Sequence, residues 1–172
     1  EEIAAEAGVE PYAFTVDLML REGGRVGMVG FGMDEPGTEL VLSWKNTMIA
    51  SDGGAYSPKA STSSPHPRSY GTFPRALAFY QRERKIVSLP EMIRKMTALP
   101  AAKLGLSDRG TLAPGKAADC VLFDQEKIRD RASYAEPHQF PDGIPCVIVN
   151  GTPVVVGGLL TGERPGTVIR SE

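Results

Sequence analysis

One acidic residue at the end of an apolar run is the first candidate for chemistry. Residues 48–50 form a short apolar run that is typical of a buried strand, and Asp52 follows immediately before Gly53-Gly54. A carboxylate in that place lies between the buried strand and an open loop. Partial burial and neighbouring charges can then tune its affinity for a proton. Asp-Gly is also a common turn pair, so Asp52 is a candidate both for a general base and for a turn cap.

A histidine and an arginine follow in the next loop. Residues 56–68 are rich in proline and serine, a composition that by itself favours a linker. The segment begins soon after Asp52, however, and it ends in His66-Pro67-Arg68. Because loops at strand ends commonly carry binding and catalytic residues, the segment is also a candidate for part of a site.

The elements that must position these residues alternate between helix and strand. The pattern predicts helix at residues 1–8 and 11–22, a strand at 25–31, a helix from Asp34 to about Ser43 and a strand at 46–50. This order is typical of parallel strands joined by crossover helices. The sequence therefore predicts an α/β fold in which Asp52 lies at the end of a strand.

Two further helices are predicted after the loop. The first begins at residues 72–74. At the start of the second, Ser88 and Glu91 fit a capping box, in which a hydroxyl and a carboxylate bond to free backbone amides. Its buried stripe consists of three apolar residues: Met92, Ile93 and Met96.

From Asp108 onward, glycines flank short apolar runs. Runs at residues 146–149 and 154–156 are joined by Asn150-Gly151, a strong hairpin signal. We therefore expect a small β unit there. Cys120 and Cys146 each lie in an apolar run, and two buried thiols in a reducing compartment are favoured over a disulfide.

Composition limits the function classes. The chain has 172 residues, of which 41% are hydrophobic and 23% charged, with a formal net charge of −2, so it can bury a sizeable core. The lack of a basic block argues against nucleic-acid or membrane binding. Neither a membrane-spanning run nor a signal peptide is evident, so we expect a cytoplasmic protein. Because the chain starts at Glu1 and its first element is a helix, we also expect a piece of a longer protein.

The β unit resembles the closing segment of the amidohydrolase superfamily, through the pattern Gly110-x-Leu112-x-x-Gly115-x-x-Ala118-Asp119-x-Val121-x-x-Asp124. A closer resemblance is to the N-acyl-D-amino-acid deacylases, or D-aminoacylases. That resemblance rests on five segments: Ile49-Ala-Ser51-Asp52-Gly53, His66-Pro67-Arg68-x-Tyr70-Gly71-Thr72-Phe73-Pro74-Arg75, Ile93-Arg94-Lys95-Met96-Thr97, Leu99-Pro100-Ala101 and Thr161-Gly162-x-Arg164-Pro165-Gly166-x-Val168-x-Arg170.

The resemblance implies a fold and a division of the chain. The family has a (β/α)8 barrel that carries a metal, usually zinc, and a small β-sandwich built from both ends of the full chain. Residues 1–107 would then be the last β/α units of the barrel, with a substrate loop at 53–72. Residues 108–172 would belong to the sandwich, a composite domain.

The resemblance also implies roles for individual residues. Asp52 matches the aspartate at the end of the eighth barrel strand, which shuttles a proton beside a metal-activated water and can touch the metal. Arg68 matches an arginine that binds the free carboxylate of the N-acyl-D-amino acid, consistent with the two-oxygen pairing of a guanidinium fork. His66 and Tyr70, in the same motif, are further candidates for substrate binding, although a histidine between two prolines more often shapes a loop.

Metal ligands are scarce in this chain. A hydrolytic zinc site needs about three protein ligands. The chain has two histidines, His66 and His138, and two cysteines, in no His-x-His or Cys-x-x-Cys arrangement. We therefore expect no metal ligand here apart from a contact by Asp52, and zinc or another divalent metal held by the missing N-terminal part of the enzyme. For the chain alone we expect no hydrolase activity.

Two other functions stay open. A cyclic amidase of the same superfamily, similar to dihydropyrimidinase or dihydroorotase, would need a site for a ring rather than for a carboxylate. A stand-alone module that binds a ligand or partner without catalysis would have a self-contained core. A piece of a larger enzyme would instead expose apolar strand edges and associate with itself or with its missing part.

Overall fold

The computed structural model describes residues 1–28, 30, 32–57 and 64–169. By its internal contacts the chain divides into two compact units, Glu1–Asp34 and Glu35–Glu172. The first unit contains helices α1 (Glu2–Glu6) and α2 (Pro11–Arg21). Both helices confirm the predictions for these segments.

Local signals explain where α2 begins and ends. The Glu10 carboxylate accepts a hydrogen bond from the Ala13 N–H at 2.9 Å, and Pro11 occupies a first-turn position, where its missing N–H is not needed. At the other end the backbone of Gly23 and Gly24 turns to positive φ values of 59° and 76°. A left-handed backbone cannot continue an α-helix, so α2 stops there.

Neither strand predicted in the first half is found among the described residues. Residues 25–28 have no regular structure, and Val29 and Phe31, from the same predicted strand, lie outside the described residues. Residues 46–50 are not a strand either; the Ile49 N–H donates to the Lys95 carbonyl at 3.1 Å, on a following helix. A strand needs a neighbouring strand for its backbone groups, and the described residues supply none there. The barrel therefore stays a prediction.

The described residues of the second unit begin with four α-helices and one π-helix. They are α3 (Glu35–Ser43), α4 (Arg68–Arg75), a π-helical segment (Ala76–Glu83), α5 (Leu89–Met96) and α6 (Ala98–Lys103). Helix α3 agrees with its prediction. The predicted start of α4 at residues 72–74 is wrong, because the Pro67 carbonyl already accepts the N–H groups of Tyr70 and Gly71 at 3.0 and 2.9 Å.

Pro74 lies inside α4, directly before the helix changes from α-helical to π-helical geometry. Proline lacks an N–H, so one of the regular helical hydrogen bonds is missing at that turn. At the end of the π-helical segment the Arg84 N–H donates to the Phe79 carbonyl five residues earlier, at 2.9 Å. The helix therefore continues past a proline that was predicted to lie at its start.

Half of the predicted capping box at the start of α5 is formed. The Ser88 hydroxyl accepts a hydrogen bond from the Glu91 N–H at 3.4 Å. The Glu91 carboxylate holds the Arg94 guanidinium through two contacts of 2.8 Å. A Glu–Arg pair three residues apart stabilises the first turns of a helix in the same way as other pairs at that spacing.

The core of the second unit joins helices to a following loop. Its buried members come from separate segments and include Ile49, Leu77, Met92 and Ile128. The predicted stripe of α5 is confirmed, since Ile93 and Met96 pack against this cluster.

The described residues contain one four-stranded antiparallel sheet. Its strands β1 (Cys120–Leu122), β2 (Cys146–Val149), β3 (Thr152–Val156) and β4 (Leu159–Leu160) lie side by side in that order. Asn150 and Gly151 have φ values of 46° and 80°, as the predicted hairpin turn between β2 and β3 requires.

The described residues show neither the predicted β-sandwich nor the predicted domain boundary at residue 108. A sandwich needs a second sheet, and the described residues form one. Helices α3 to α6, which come before residue 108, and the sheet after it belong to the same compact unit. Both therefore stay predictions. The two thiols of Cys120 and Cys146 are free and half-buried. None of the helices in the described segments has the length and apolar character needed to cross a membrane.

Candidate active site

The backbone around Asp52 is brought directly onto the start of α4. Asp52 has a positive φ of 48°, and the following Gly53 packs so closely on α4 that a Cβ there would lie 2.7 Å from the Ser69 Cα. No side chain fits in that gap, so glycine permits the approach. A role for Asp52 in a turn is therefore compatible with a role in an active site, because the same turn brings its carboxylate to the first residue of α4.

Asp52 and Arg68 form an ion pair across this contact. Arg68 Nη2 lies 3.0 Å from Asp52 Oδ2. The Asp52 side chain is 87% exposed and the Arg68 side chain 44% exposed, so both can reach solvent or a ligand. The two residues to which the family resemblance assigns proton transfer and carboxylate binding are thus adjacent.

His66 is held through both ring nitrogens. Its Nδ1 accepts the Arg68 N–H at 3.1 Å, and its Nε2 lies 3.0 Å from the Tyr134 hydroxyl. Because Nδ1 is an acceptor here, the neutral ring carries its proton on Nε2, which donates to the Tyr134 oxygen. His66 therefore fixes the first turn of α4, as the loop-shaping alternative predicts, and its direct contact with a substrate stays a prediction.

Tyr70 connects the loop after Asp52 to a distant segment. Its hydroxyl donates to the Tyr56 carbonyl at 3.2 Å and lies 3.0 Å from His138 Nδ1. Its ring meets Phe140 edge to face, with centroids 5.7 Å apart. Burial raises the pKa of the Tyr70 hydroxyl, and the neighbouring Tyr56 adds to the rise, so the group stays a neutral hydrogen-bonding partner. A role for Tyr70 in substrate binding stays a prediction.

A cleft of about 430 Å³ lies beside α4. One helix face supplies Arg68, Gly71, Thr72 and Arg75, which are three or four residues apart and so point the same way. The other walls come from separate segments of the same unit: Glu35, His66, Pro67, Asp130, Ala132, Ser133 and Tyr134.

Two carboxylates balance the positive charge of Arg75, the second arginine that lines this cleft. Arg75 lies 3.5 Å from Glu35 Oε1 and 3.7 Å from Asp130 Oδ2, and its guanidinium stacks 4.5 Å above the Phe79 ring. Glu35 also accepts the Tyr80 hydroxyl at 2.9 Å. Arg75 is thus part of the wall, and Arg68 is the arginine better placed to take a new anion.

A larger cavity of about 730 Å³ lies between α5, α6 and β1. Its surface is mostly apolar, and its Arg109 pairs with Asp119 at 3.0 Å and with Asp108 at 3.0 Å. A mostly apolar cavity whose Arg109 is already paired with two carboxylates offers little to bind a charged substrate. The smaller cleft is therefore the better candidate for a site that acts on a charged substrate.

The described residues do not complete a metal site. Among residues 1–28, 30, 32–57 and 64–169, no three side chains of His, Cys, Asp or Glu are grouped closely enough to hold an ion. Asp52 is a single oxygen ligand, and its carboxylate is paired with Arg68. The donor set of the described residues therefore does not by itself fit the metal of a hydrolase.

Sequence reasoning missed the partners that arrive from far along the chain. Tyr134 and Asp130 lie in a segment without periodicity, so no pattern in the sequence indicates them. Lys95 is different: it lies among Met92, Ile93 and Met96 on the predicted stripe of α5, and that position alone indicates that its side chain points inward.

Comparison with known proteins gives the class of this chain. A sequence model described as the amidohydrolase family matches residues 46–155. This chain belongs to the amidohydrolase family. The matched segment includes Asp52, Arg68, strands β1 and β2 and most of β3.

Individual relatives show which members of the family this chain is similar to. The chain is 38% identical over 169 residues to a D-aminoacylase of Alcaligenes xylosoxydans xylosoxydans, covering 98% of this chain and 33% of that protein. It is 38% identical over 168 residues to an N-acyl-D-aspartate deacylase of the same organism, covering 98% of this chain and 32% of that protein. It also superposes on a solved D-aminoacylase with a binuclear metal centre, with a TM-score of 0.81 and 40% identity over 95% of this chain and 32% of that one. The chain thus spans about a third of the length of these relatives.

Proposed function

We propose that this chain is part of a longer enzyme that hydrolyses the amide bond of N-acyl-D-amino acids. The products are a D-amino acid and a carboxylate. The observation that carries the proposal is the contact between Asp52 and Arg68, 3.0 Å apart beside a cleft. A base (Asp52) and a guanidinium that binds carboxylates (Arg68) at that spacing suit a small substrate whose scissile amide lies next to its own carboxylate. The named relatives, which match nearly the whole chain, support the same substrate class.

Each of the two residues has one task in this proposal. Asp52 accepts a proton from the attacking water and returns it to the departing amine nitrogen, as a general base and then a general acid. Arg68 binds the two oxygens of the free substrate carboxylate. Because that contact fixes one substituent of the α-carbon, it also restricts which hand of the amino acid can present its amide to Asp52.

The metal of such an enzyme would be held mainly by residues outside this chain. Among the described residues, Asp52 is the only one for which we propose a contact with such an ion. Zinc or another divalent cation is the expected occupant, because hydrolytic sites of this kind use it to lower the pKa of bound water. The chain in isolation is accordingly proposed to be inactive.

The decisive experiment replaces the base in the intact enzyme. Asp52→Asn keeps the shape of the side chain and removes its proton affinity, so kcat for an N-acetyl-D-amino acid should fall by about 100-fold or more. Metal content, measured by elemental analysis, should stay at the wild-type level. Asp17→Asn is the matched control, because Asp17 is another exposed, ion-paired aspartate, with Arg21 at 2.6 Å. Near-normal turnover of Asp52→Asn would remove Asp52 from the mechanism.

Two measurements separate this function from its alternatives. Hydrolysis of a hydantoin in preference to an N-acetyl-D-amino acid would favour a cyclic amidase over a deacylase. Metal-dependent deacylation by the purified 172-residue chain would contradict the proposal that the rest of the enzyme is required. The missing part is therefore its proposed partner, and a cytoplasmic location stays a prediction.

A further inference from the structure

The most deeply buried charge of the second unit has no task in the mechanism above. Lys95 is 0% exposed and has the largest of the fully buried side chains. It lies on α5 among Met92 and Met96, which contribute to the core. Burial lowers the pKa of its ammonium group, and Glu91, 4.0 Å away, opposes that effect.

Lys95 holds the segment that leads to Asp52. Its Nζ donates to the carbonyl oxygens of Trp44 and Thr47, the second at 3.1 Å. Its own carbonyl accepts the Ile49 N–H at 3.1 Å. The adjacent Arg94 donates to the Lys45 carbonyl at 2.6 Å. Two consecutive residues of α5 thus fix the backbone of residues 44–49.

These contacts replace strand pairing. Residues 46–50 do not form a strand, so their backbone groups need other partners. Removing an ammonium group from water offsets much of what its hydrogen bonds contribute, and an apolar side chain of the same size can stabilise a core equally well. What an apolar residue cannot supply is the fixed direction of the carbonyls of Trp44 and Thr47.

We propose that Lys95 is a positioning residue for Asp52, acting through the backbone of residues 44–49. Asp52 is the third residue after Ile49, a reach of at most about 11 Å of extended chain. If Ile49 shifts, Asp52 moves with it, whereas Arg68 is carried by α4. This inference rests on the proposed function of Asp52 and adds a second residue to it.

The first arm of the test measures backbone anchoring in the intact enzyme, independently of activity. In Lys95→Met, hydrogen exchange of the amides at residues 47–52 should become at least about tenfold faster, with α4 and the sheet nearly unchanged. Met92→Ala is the matched control, because it empties a buried site in the core that also contains Ile49 but removes no hydrogen bond to residues 44–49, and its exchange should rise evenly over the core. Equal, uniform increases in both variants would show that Lys95 only stabilises the fold.

The second arm measures catalysis. We expect Lys95→Met to lower kcat at least about tenfold while KM changes less than about twofold, because the base moves and the carboxylate fork does not. Met92→Ala, assayed well below its own Tm, should keep kcat near the wild-type value. Lys103→Met, a change to an exposed lysine on α6, should change neither parameter. A wild-type kcat in Lys95→Met, or an equal loss in Met92→Ala, would overturn the proposal.

Two further outcomes are also decisive. If Lys95→Met is insoluble, Lys95→Gln keeps a shorter donor and is judged by the same criteria. If the wild-type enzyme deacylates nothing, the proposed function fails, but the exchange arm still decides whether Lys95 anchors residues 47–52. Failure of the proposed function and failure of this inference are therefore distinguishable.

Discussion

Arg68 and Asp52 form an ion pair of 3.0 Å between a loop and the first residue of α4. Both side chains remain solvent-exposed, so this pair is expected to contribute no more than about 1 kcal/mol to stability. A weak pair can be exchanged for another. A substrate carboxylate that binds the Arg68 guanidinium would replace Asp52 there and leave the aspartate available for proton transfer.

Replacing Arg68 should therefore affect substrate binding. In the intact enzyme, Arg68→Ala should raise KM for an N-acetyl-D-amino acid about 10- to 100-fold, the value of one charged hydrogen-bond pair. Arg68→Lys should recover part of the loss, because it restores the charge without the fork. Steady-state kinetics measures both, and unfolding curves should stay close to wild type.

A substrate analogue provides the control for that prediction. If Arg68 binds the carboxylate, an N-acetyl-D-amino acid amide should be a poor substrate of the wild-type enzyme and no worse for Arg68→Ala. Arg21→Ala, which removes an exposed arginine of α2, should leave both substrates unaffected. A further loss on the amide substrate in Arg68→Ala would mean that Arg68 acts on something other than the carboxylate.

Gly143 should tolerate no side chain. Its φ is +79°, and a Cβ there would lie 2.5 Å from the Ile128 nitrogen, next to a buried core residue. Gly143→Ala should lower the free energy of unfolding by about 2–4 kcal/mol through backbone strain and overpacking. Gly158→Ala isolates the strain, since Gly158 has the same φ of +79° and nothing within 4 Å. Equal losses in urea denaturation would refute the steric explanation.

The sequence predicts those elements whose signals are local. Pro11 and the pair Gly23-Gly24 delimit α2, and Asn150-Gly151 specifies the turn between β2 and β3. These residues act through their own backbone preferences, which need no distant partner. Asp52 and Arg68 are recognisable as candidates for a different reason, because each lies in a short motif that resembles a known family.

The rest depends on partners that no local pattern specifies. The strand predicted at residues 46–50 fails because a strand is completed by its neighbours, and Lys95 takes their place. The sequence predicts the start of α4 too late because Pro74 has the character of a first-turn residue, whereas the helix begins after Pro67, its N-cap residue. Tyr134 reaches His66 from a segment without periodicity.

Stability should respond to acid at Asp142. Its hydrogen bond from Arg129, 2.7 Å long, and its pairing with Arg131 hold the pKa of Asp142 below its ordinary value of 3.8. A carboxyl whose folded pKa lies below the unfolded one contributes stability above pH 3.8 and loses it as the pH falls through the folded pKa. Asp142→Asn should thus be less stable than wild type at neutral pH, and the difference should vanish in strong acid. Urea denaturation at each pH tests this; a difference that persists in strong acid would exclude the ionised carboxyl as its cause.

The exposed edge of the sheet should make the isolated chain associate. Leu159 and Leu160 of β4 are 75% and 69% exposed, and among the described residues β4 pairs with β3 alone. An open, apolar strand edge offers both backbone hydrogen bonds and apolar surface to another copy. Sedimentation velocity of the chain should therefore show a concentration-dependent rise in mass, and Leu160→Lys should weaken it about tenfold, because a charge at the edge opposes pairing. Leu20→Lys, at an equally exposed leucine of α2, should have no such effect; if both variants weaken association equally, the sheet edge is not the contact.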